Sequence, residues 1–338
     1  MTPRALVAGG AGFIGSNLCA SLLDRGYSVV AIDNFSTGRP DNIRPLQALA
    51  GFDFIYGDVA DAGLTETLAM QRFDEVYNLA CPTGVPNIAI LGDEMLRTSS
   101  IGSLNLLELA RTTGALYLFT STAEVYGEAE VVPQPETYTG NVDPVGDRSP
   151  YEEGKRFGEA LAMRYARRHG VDVRIIRVFN TYGVGMSPDD RRVIPQLLLS
   201  ALHGEPFTVY GDGSQTRSFL YVSDLLDGFR VAIERGVSGD VFNIGSSRER
   251  TILDLHRAAE AALGRRIEIA FKPHFIRDHL RRCPDTTRIG SLGWKPKVDL
   301  ADGLRRSFAD VVGRGGNEPA ASVEPWPAIA ADRQRVDV

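Results

Sequence analysis

The sequence predicts an α/β fold: a doubly wound parallel sheet with helices on both faces, followed by a smaller α/β lobe. Three observations predict it. Short apolar runs alternate with segments of helical period through roughly the first half of the chain. Alternation of this kind gives right-handed crossovers and a parallel sheet. A glycine cluster, Gly9-Gly10-Ala11-Gly12-Phe13-Ile14-Gly15, separates the first apolar run from the first helical segment. The chain has 338 residues, 43% of them apolar and 24% charged. That suits a sizeable core and about two domains at roughly 100–200 residues each.

The elements follow in order. Residues 5–8 are a short apolar strand, and residues 13–23 repeat apolar side chains at helical spacing. Residues 29–32, closed by Asp33 and Asn34, then 52–56 and 75–79, are further strands rich in β-branched and aromatic residues. Residues 104–110 read as a helix and 116–119 as a strand. Residues 151–169 form a long helix that Gly170 terminates, and 173–178 form the next strand. Beyond about residue 180, turns at 204–206 and 211–213 separate shorter elements. The chain thus divides into a sheet domain, 1–180, with room for later segments to return to it, and a smaller lobe, 181–312. A polar tail rich in Gly, Pro and Ala, 313–338, is expected to be flexible.

Composition excludes several classes. A net charge of -6 argues against a protein that coats nucleic acid. The apolar runs fall short of the ~20 residues that span a bilayer, and the first residues have no signal-peptide layout. The 3 cysteines, Cys19, Cys81 and Cys283, are too few and scattered for a disulfide framework or a cysteine zinc site. The 5 histidines are equally scattered, so no residue is assigned to a metal. The expectation is a cytoplasmic protein with reduced thiols, no membrane contact and no nucleic-acid partner.

Two motifs carry chemistry. In the glycine cluster, Gly9, Gly12 and Gly15 let the backbone turn tightly and approach a pyrophosphate, which the helix N-terminus stabilises. Asp33 ends the second strand, where an acid accepts hydrogen bonds from ribose hydroxyls and repels a 2′-phosphate, favouring NAD over NADP. Tyr151 and Lys155 share one helix face at i, i+4. A free phenol, with a pKa of about 10, is a poor base at neutral pH. A nearby ammonium and a positive nicotinamide ring would stabilise the phenolate, which can then take a proton from a sugar hydroxyl as hydride leaves the same carbon.

These residues, with Asp58 in Gly57-Asp58-Val59, Asn78-Leu79-Ala80, the run from Ser121 to Gly127 and Phe179-Asn180-Thr181-Tyr182-Gly183, resemble the extended short-chain dehydrogenase/reductases. These are NAD-dependent enzymes that epimerise, dehydrate or decarboxylate nucleotide sugars on a Rossmann-type fold. The resemblance covers roughly residues 4–312. The run from Arg148 to Arg156 and the blocks at 204–206, 209–217, 221–224 and 292–296 are most similar to the subgroup that decarboxylates UDP-glucuronate.

The resemblance implies that Thr122 hydrogen-bonds the hydroxyl being oxidised, that Tyr151 and Lys155 move its proton, and that Glu124 acts near the sugar C5. It implies NAD contacts from Gly9, Gly12, Phe13, Ile14, Gly15, Asp33, Asn34, Asp58, Val59, Leu79, Ala80, Tyr151 and Lys155. Asn180, Val193, Tyr210, Arg217 and Arg282 would hold the nucleotide sugar, expected to be UDP-linked; Arg suits the diphosphate because its planar fork matches phosphate oxygens. Cys81 is read as packing. The family also implies a homodimer through the helices around 96–111 and 151–169. The sugar end departs from the subgroup: Ile88 replaces a tyrosine, Ala123 a serine and Ser99 an asparagine. Decarboxylation therefore leads, 4-epimerisation is the alternative, and 4,6-dehydration falls behind because Ala123 lacks its acid. A non-catalytic NAD-binding regulator is the reading from a different class.

Overall fold

Alternation along the first strand sets the layers of the molecule, a computed structural model that describes residues 2–187, 190–273 and 281–314. In β1 (Arg4–Ala8), Ala5 and Val7 belong to one apolar core, and Leu6 and Ala8 to the other. All four are fully buried, as expected of a parallel strand covered on both faces. α1 (Phe13–Asp24), β2 (Ser28–Asp33), a short α2 (Pro40–Ile43), β3 (Phe52–Tyr56), α3 (Ala62–Ala69) and β4 (Glu75–Asn78) follow. α4 (Val85–Arg97), a π-helical turn at Thr98–Gly102 and α5 (Ser103–Thr113) run on into β5 (Leu116–Thr122). A 3-10 turn, Ala123–Tyr126, precedes α6 (Ser149–His169) and β6 (Val173–Val178).

The second half contains β7 (Thr181–Tyr182), α7 (Val193–His203), β8 (Phe207–Tyr210), β9 (Thr216–Ser218), β10 (Leu220–Tyr221), α8 (Val222–Arg235) and β11 (Asp240–Ile244). β12 (Glu249–Thr251), α9 (Ile252–Leu263), β13 (Ile269–Lys272), α10 (Thr287–Ser291) and α11 (Leu300–Gly313) complete it. α7, α9 and α11 share a separate core with β8, including Ile194, Leu197, Phe207, Val209, Leu255 and Leu304.

The main sheet has seven parallel strands in the order β11-β6-β5-β4-β1-β2-β3. The chain winds outward from β1 to β3, then reverses and winds outward from β4. The reversal leaves a crevice at the carboxyl ends of β1 and β4, where open α/β sheets bind ligands. β11 comes late in the chain yet pairs with β6 in this sheet.

Two helical segments escape the sequence pattern. The helix predicted over 104–110 is the last part of a helical run that begins at Val85 and ends at Thr113. Pro86 resembles a breaker in the sequence, but it occupies the first turn of α4, where its missing N–H is harmless. α3 was not predicted either: it has only eight residues, too few to establish a period. α6 ends at Gly170, whose φ of 69° is the left-handed conformation a C-cap glycine supplies. α11 runs through Gly313, so the expected tail starts inside a helix; positions 315–338 lie outside the described residues. Among the described residues, no helix is long and apolar enough to cross a membrane.

Candidate active site

The glycine cluster sits in the crevice and is tightly packed. Gly9 has a φ of 80°, and a Cβ there would lie 2.9 Å from the backbone of Leu79 and Ala80. A Cβ on Gly15 would lie 2.0 Å from Gly9 O. These close approaches allow the loop to turn directly into α1, which Gly12 caps with extended backbone and no side-chain partner. Phe13 and Ile14 form the first turn of that helix. A cradle that a single Cβ would fill, at the amino end of a helix, fits a dinucleotide's pyrophosphate.

Asp33 closes the cradle from the end of β2. It is 9% exposed; Oδ2 accepts the Ala11 N–H at 3.0 Å and Oδ1 the Phe35 N–H at 2.8 Å. Burial pushes its carboxyl above the ordinary range, while the Phe35, Ala11 and Gly12 N–H groups act in the opposite direction. A carboxylate retains further lone pairs for ribose hydroxyls after accepting two bonds. Asn34 is used locally, accepting from the Ser36 N–H and hydroxyl. Asp58 caps its own turn through Ala60 N at 2.8 Å. Val59 is buried, and its carbonyl accepts from Asn105.

The second half of the site lies at the carboxyl end of β5. Thr122 ends this strand, and its hydroxyl accepts the Glu124 N–H at 3.3 Å. Tyr151 lies in the first turn of α6, and the Thr122 side chain acts to lower its phenol. Lys155, one turn later and 3% exposed, donates to Thr120 O at 3.0 Å and lies 5.1 Å from the Phe119 ring centroid. Burial raises the Tyr151 phenol well above its ordinary range. Burial also lowers the Lys155 ammonium, against the pull of Cys81 and Glu159. Desolvation of the phenolate is the larger effect here, and the Lys155 ammonium donates to a backbone carbonyl.

Glu124 occupies an ion-pair cluster. Arg148, just before α6, donates to its Oε2 at 2.5 Å and to Glu152 at 3.0 Å. Arg282 donates to both Glu124 oxygens, at 2.6 Å for Oε2. The arginine expected on the diphosphate is thus held by the acid expected at the sugar. Arg217 is buried and donates to Thr216 O. Asn180 has a buried Nδ2 with no hydrogen-bond partner among the described residues, an orphaned donor that a ligand oxygen would satisfy. Val193 is the first residue of α7, and Tyr210 lies 37% exposed at the end of β8.

Three further residues belong to the site. Arg148 lies within a motif quoted above, but its partner is distant in sequence. Arg192 lowers the Tyr151 phenol and is itself bonded to Asp190; a charged loop offers no periodic signal to identify it. Cys81, assigned to packing, lies 3.7 Å from Ser99 Oγ and interacts electrostatically with both Tyr151 and Lys155. Ile88 and Ala123 are buried, and Ser99 packs under Gly154.

A doubly wound sheet with a glycine cradle at its switch point and a Thr–Tyr–Lys set beside it defines a Rossmann-type oxidoreductase site. Residues 5–245 match the model of the NAD dependent epimerase/dehydratase family, and the chain belongs to that family. UDP-glucuronic acid decarboxylase 1 of Arabidopsis thaliana is 44% identical over 316 residues, covering 93% of this chain and 71% of the relative. UDP-glucuronic acid decarboxylase 1 of Danio rerio is 42% identical over 306 residues, covering 90% and 72%. Among solved structures, UDP-glucose 4-epimerase of Thermotoga maritima with UDP-glucose superposes with a TM-score of 0.83 at 31% identity, covering 92% of this chain and 99% of that one. The UDP-glucuronic acid 4-epimerase of Bacillus cereus with UDP-glucuronic acid and NAD gives 0.81 at 30%, with the same coverage.

Proposed function

We propose that this protein decarboxylates UDP-glucuronate through a 4-keto sugar, with NAD as a bound cofactor that each turnover regenerates. The observation that carries this reading is Glu124, which Arg148 and Arg282 hold directly after Thr122 and near Tyr151. An acid with two cations beside the proposed proton acceptor suits a sugar that bears a carboxylate. The identity to curated UDP-glucuronic acid decarboxylases supports the same substrate.

The glycine cradle and Asp33 would hold the pyrophosphate and ribose of NAD, with Asp58, Val59, Leu79 and Ala80 lining the crevice. Bound NAD supplies the hydride acceptor at C4 and returns the hydride at the end. Thr122 orients the C4 hydroxyl, and Tyr151 takes its proton. Lys155 supports the negative charge that develops on the phenol. The C4 ketone makes the C5 carboxylate a β-keto acid, which loses CO₂ through an enolate. Arg148, held by Glu124, orients that carboxylate, and Glu124 manages the proton returned to C5. Asn180, Val193, Tyr210, Arg217 and Arg282 hold the UDP moiety in the lobe formed largely by 181–312.

A second reading, 4-epimerisation, draws on one observation: guanidinium groups take both Glu124 oxygens, which suits a recognition role better than a base. Incubation of the purified protein with UDP-glucuronate and NAD separates the two. The expected outcome is CO₂ release with UDP-xylose; UDP-galacturonate without CO₂ would establish the epimerase instead. The same reading makes the protein a homodimer through the α4–α5 run and α6, and its free cysteines suit a reducing cytoplasm.

A further inference from the structure

A closed hydrogen-bonded ring forms where the glycine cluster, the segment after β7 and the end of α11 meet. Arg314 donates from Nη1 to Asn42 Oδ1 at 2.6 Å and from Nε to Asp310 Oδ1 at 2.7 Å. Asp310 Oδ2 accepts the Gly185 N–H at 2.8 Å. Gly185 O accepts from Asn42 Nδ2 at 3.2 Å, which closes the ring. Asn42 is 8% exposed.

The ring bears directly on the cradle. Asn42 Nδ2 also donates to Ala11 O at 3.0 Å, and Ala11 lies inside the glycine cluster. That carbonyl takes a second bond from the Arg39 N–H at 3.0 Å, while the Ala11 N–H goes to Asp33. Every backbone polar group of Ala11 is therefore fixed, and Asn42 fixes one of them. An asparagine side chain has similar shapes in its two flipped states but opposite hydrogen-bonding. Arg314 can only donate, so it requires the Asn42 oxygen on its side and the Asn42 N–H groups toward Ala11 and Gly185. Asn17 adds a parallel tie, from α1 to Val184 O at 2.9 Å.

We propose that Arg314 and Asp310 are positioning residues for the dinucleotide site: the end of α11 sets the orientation of Asn42, which fixes the Ala11 peptide in the loop geometry that NAD requires. Both act through Asn42 and Gly185 rather than on a ligand. Arg314 is 35% exposed, so its Coulombic attraction is screened by water. Its effect is to exclude the flipped Asn42 and a loosened loop, whose reordering would weaken cofactor binding. The inference rests on NAD occupying the glycine cradle.

Full-length Arg314→Ala, Arg314→Lys and Arg305→Ala provide the test, with NAD affinity measured by calorimetry. Arg305 is an exposed α11 residue 3.9 Å from Asp302, outside the ring. Arg314→Ala should raise the Kd for NAD about fivefold, the lower end of a typical coupling between sites. Arg314→Lys should recover part of the loss, and Arg305→Ala should match wild type. At saturating NAD, kcat and the sugar-nucleotide KM of Arg314→Ala should stay close to wild type, as should its melting temperature without NAD. An unchanged Kd in Arg314→Ala overturns the proposal. So does an equal loss in Arg305→Ala, or a loss shared by sugar KM and melting temperature. Should Arg314→Ala fail to fold, Asp310→Asn, which removes the charge facing Arg314, must show the same selective loss. Wild-type protein that binds no NAD would refute the cofactor site itself, a result distinct from an unchanged variant.

Discussion

The proposed chemistry turns on Tyr151, and its surroundings oppose ionisation. Burial raises the phenol, and burial also lowers the ammonium of Lys155 that should assist it. A positive nicotinamide ring beside the phenol would shift the balance, since an adjacent opposite charge favours the ionised form. NAD should therefore lower the Tyr151 titration. Ultraviolet difference titration of wild type against Tyr151→Phe would detect it as a tyrosinate transition that moves to lower pH when NAD is added. A transition that stays in place would remove the proposed base. Tyr151→Phe should itself reduce turnover at least ~100-fold, the lower range for a general base, with NAD affinity nearly unchanged. Tyr151 and Lys155 are legible in the sequence because helical spacing alone puts them on one face. The pairing of Glu124 with Arg148 and Arg282 is not, because it joins residues 24 and 158 positions apart.

At the scale of elements, the apolar strands show most clearly in the sequence because both of their faces are buried. β1 and β2 therefore appear as short apolar runs with no polar alternation to confuse them, whereas the edge strand β3 leaves Asp53 and Tyr56 exposed. α4 is obscured for the opposite reason: Pro86 and Gly92 interrupt its pattern, and the π-helical turn shifts its phase before α5. The β1–α1 turn illustrates what a glycine spacing encodes. Gly15→Ala would put a methyl group 2.0 Å from Gly9 O, and that neighbour is backbone with no rotamer to move. Overpacking of this kind costs ~1–3 kcal/mol or more. Gly15→Ala should lower the melting temperature by several degrees and weaken NAD binding more than tenfold, measurable by thermal melts with and without NAD. A variant that melts and binds NAD like wild type would show that the loop can retreat from α1, and that its close packing is not needed for the cradle.

At the scale of the whole molecule, the chain leaves the main sheet and returns to it, which no local pattern records. β11 and α8 belong with the main sheet although they follow lobe elements, and α11 returns to the cradle from the end of the described chain. The face formed by the α4–α5 run and α6 is different in kind. Ile90 is 72% exposed, Leu96 44%, Ile101 46%, Leu104 41% and Phe157 51%, a row of large apolar groups on adjacent helices. Burying each would contribute up to about 1.5–3 kcal/mol in proportion to the area covered, and a stable interface needs roughly 1,000 Å² or more. This is the surface proposed for the homodimer. Ile101 and Leu104 lie at i, i+3 and so share a helix face. Replacing both with Glu places charges where a partner copy would pack, at a desolvation cost. The double variant should elute as a monomer in size-exclusion chromatography with light scattering, while wild type elutes as a dimer. NAD binding should survive, because the cradle lies in the switch-point crevice and not on this face. If wild type is itself a monomer at micromolar concentration, these helices serve another purpose, and the active site must be complete within one chain.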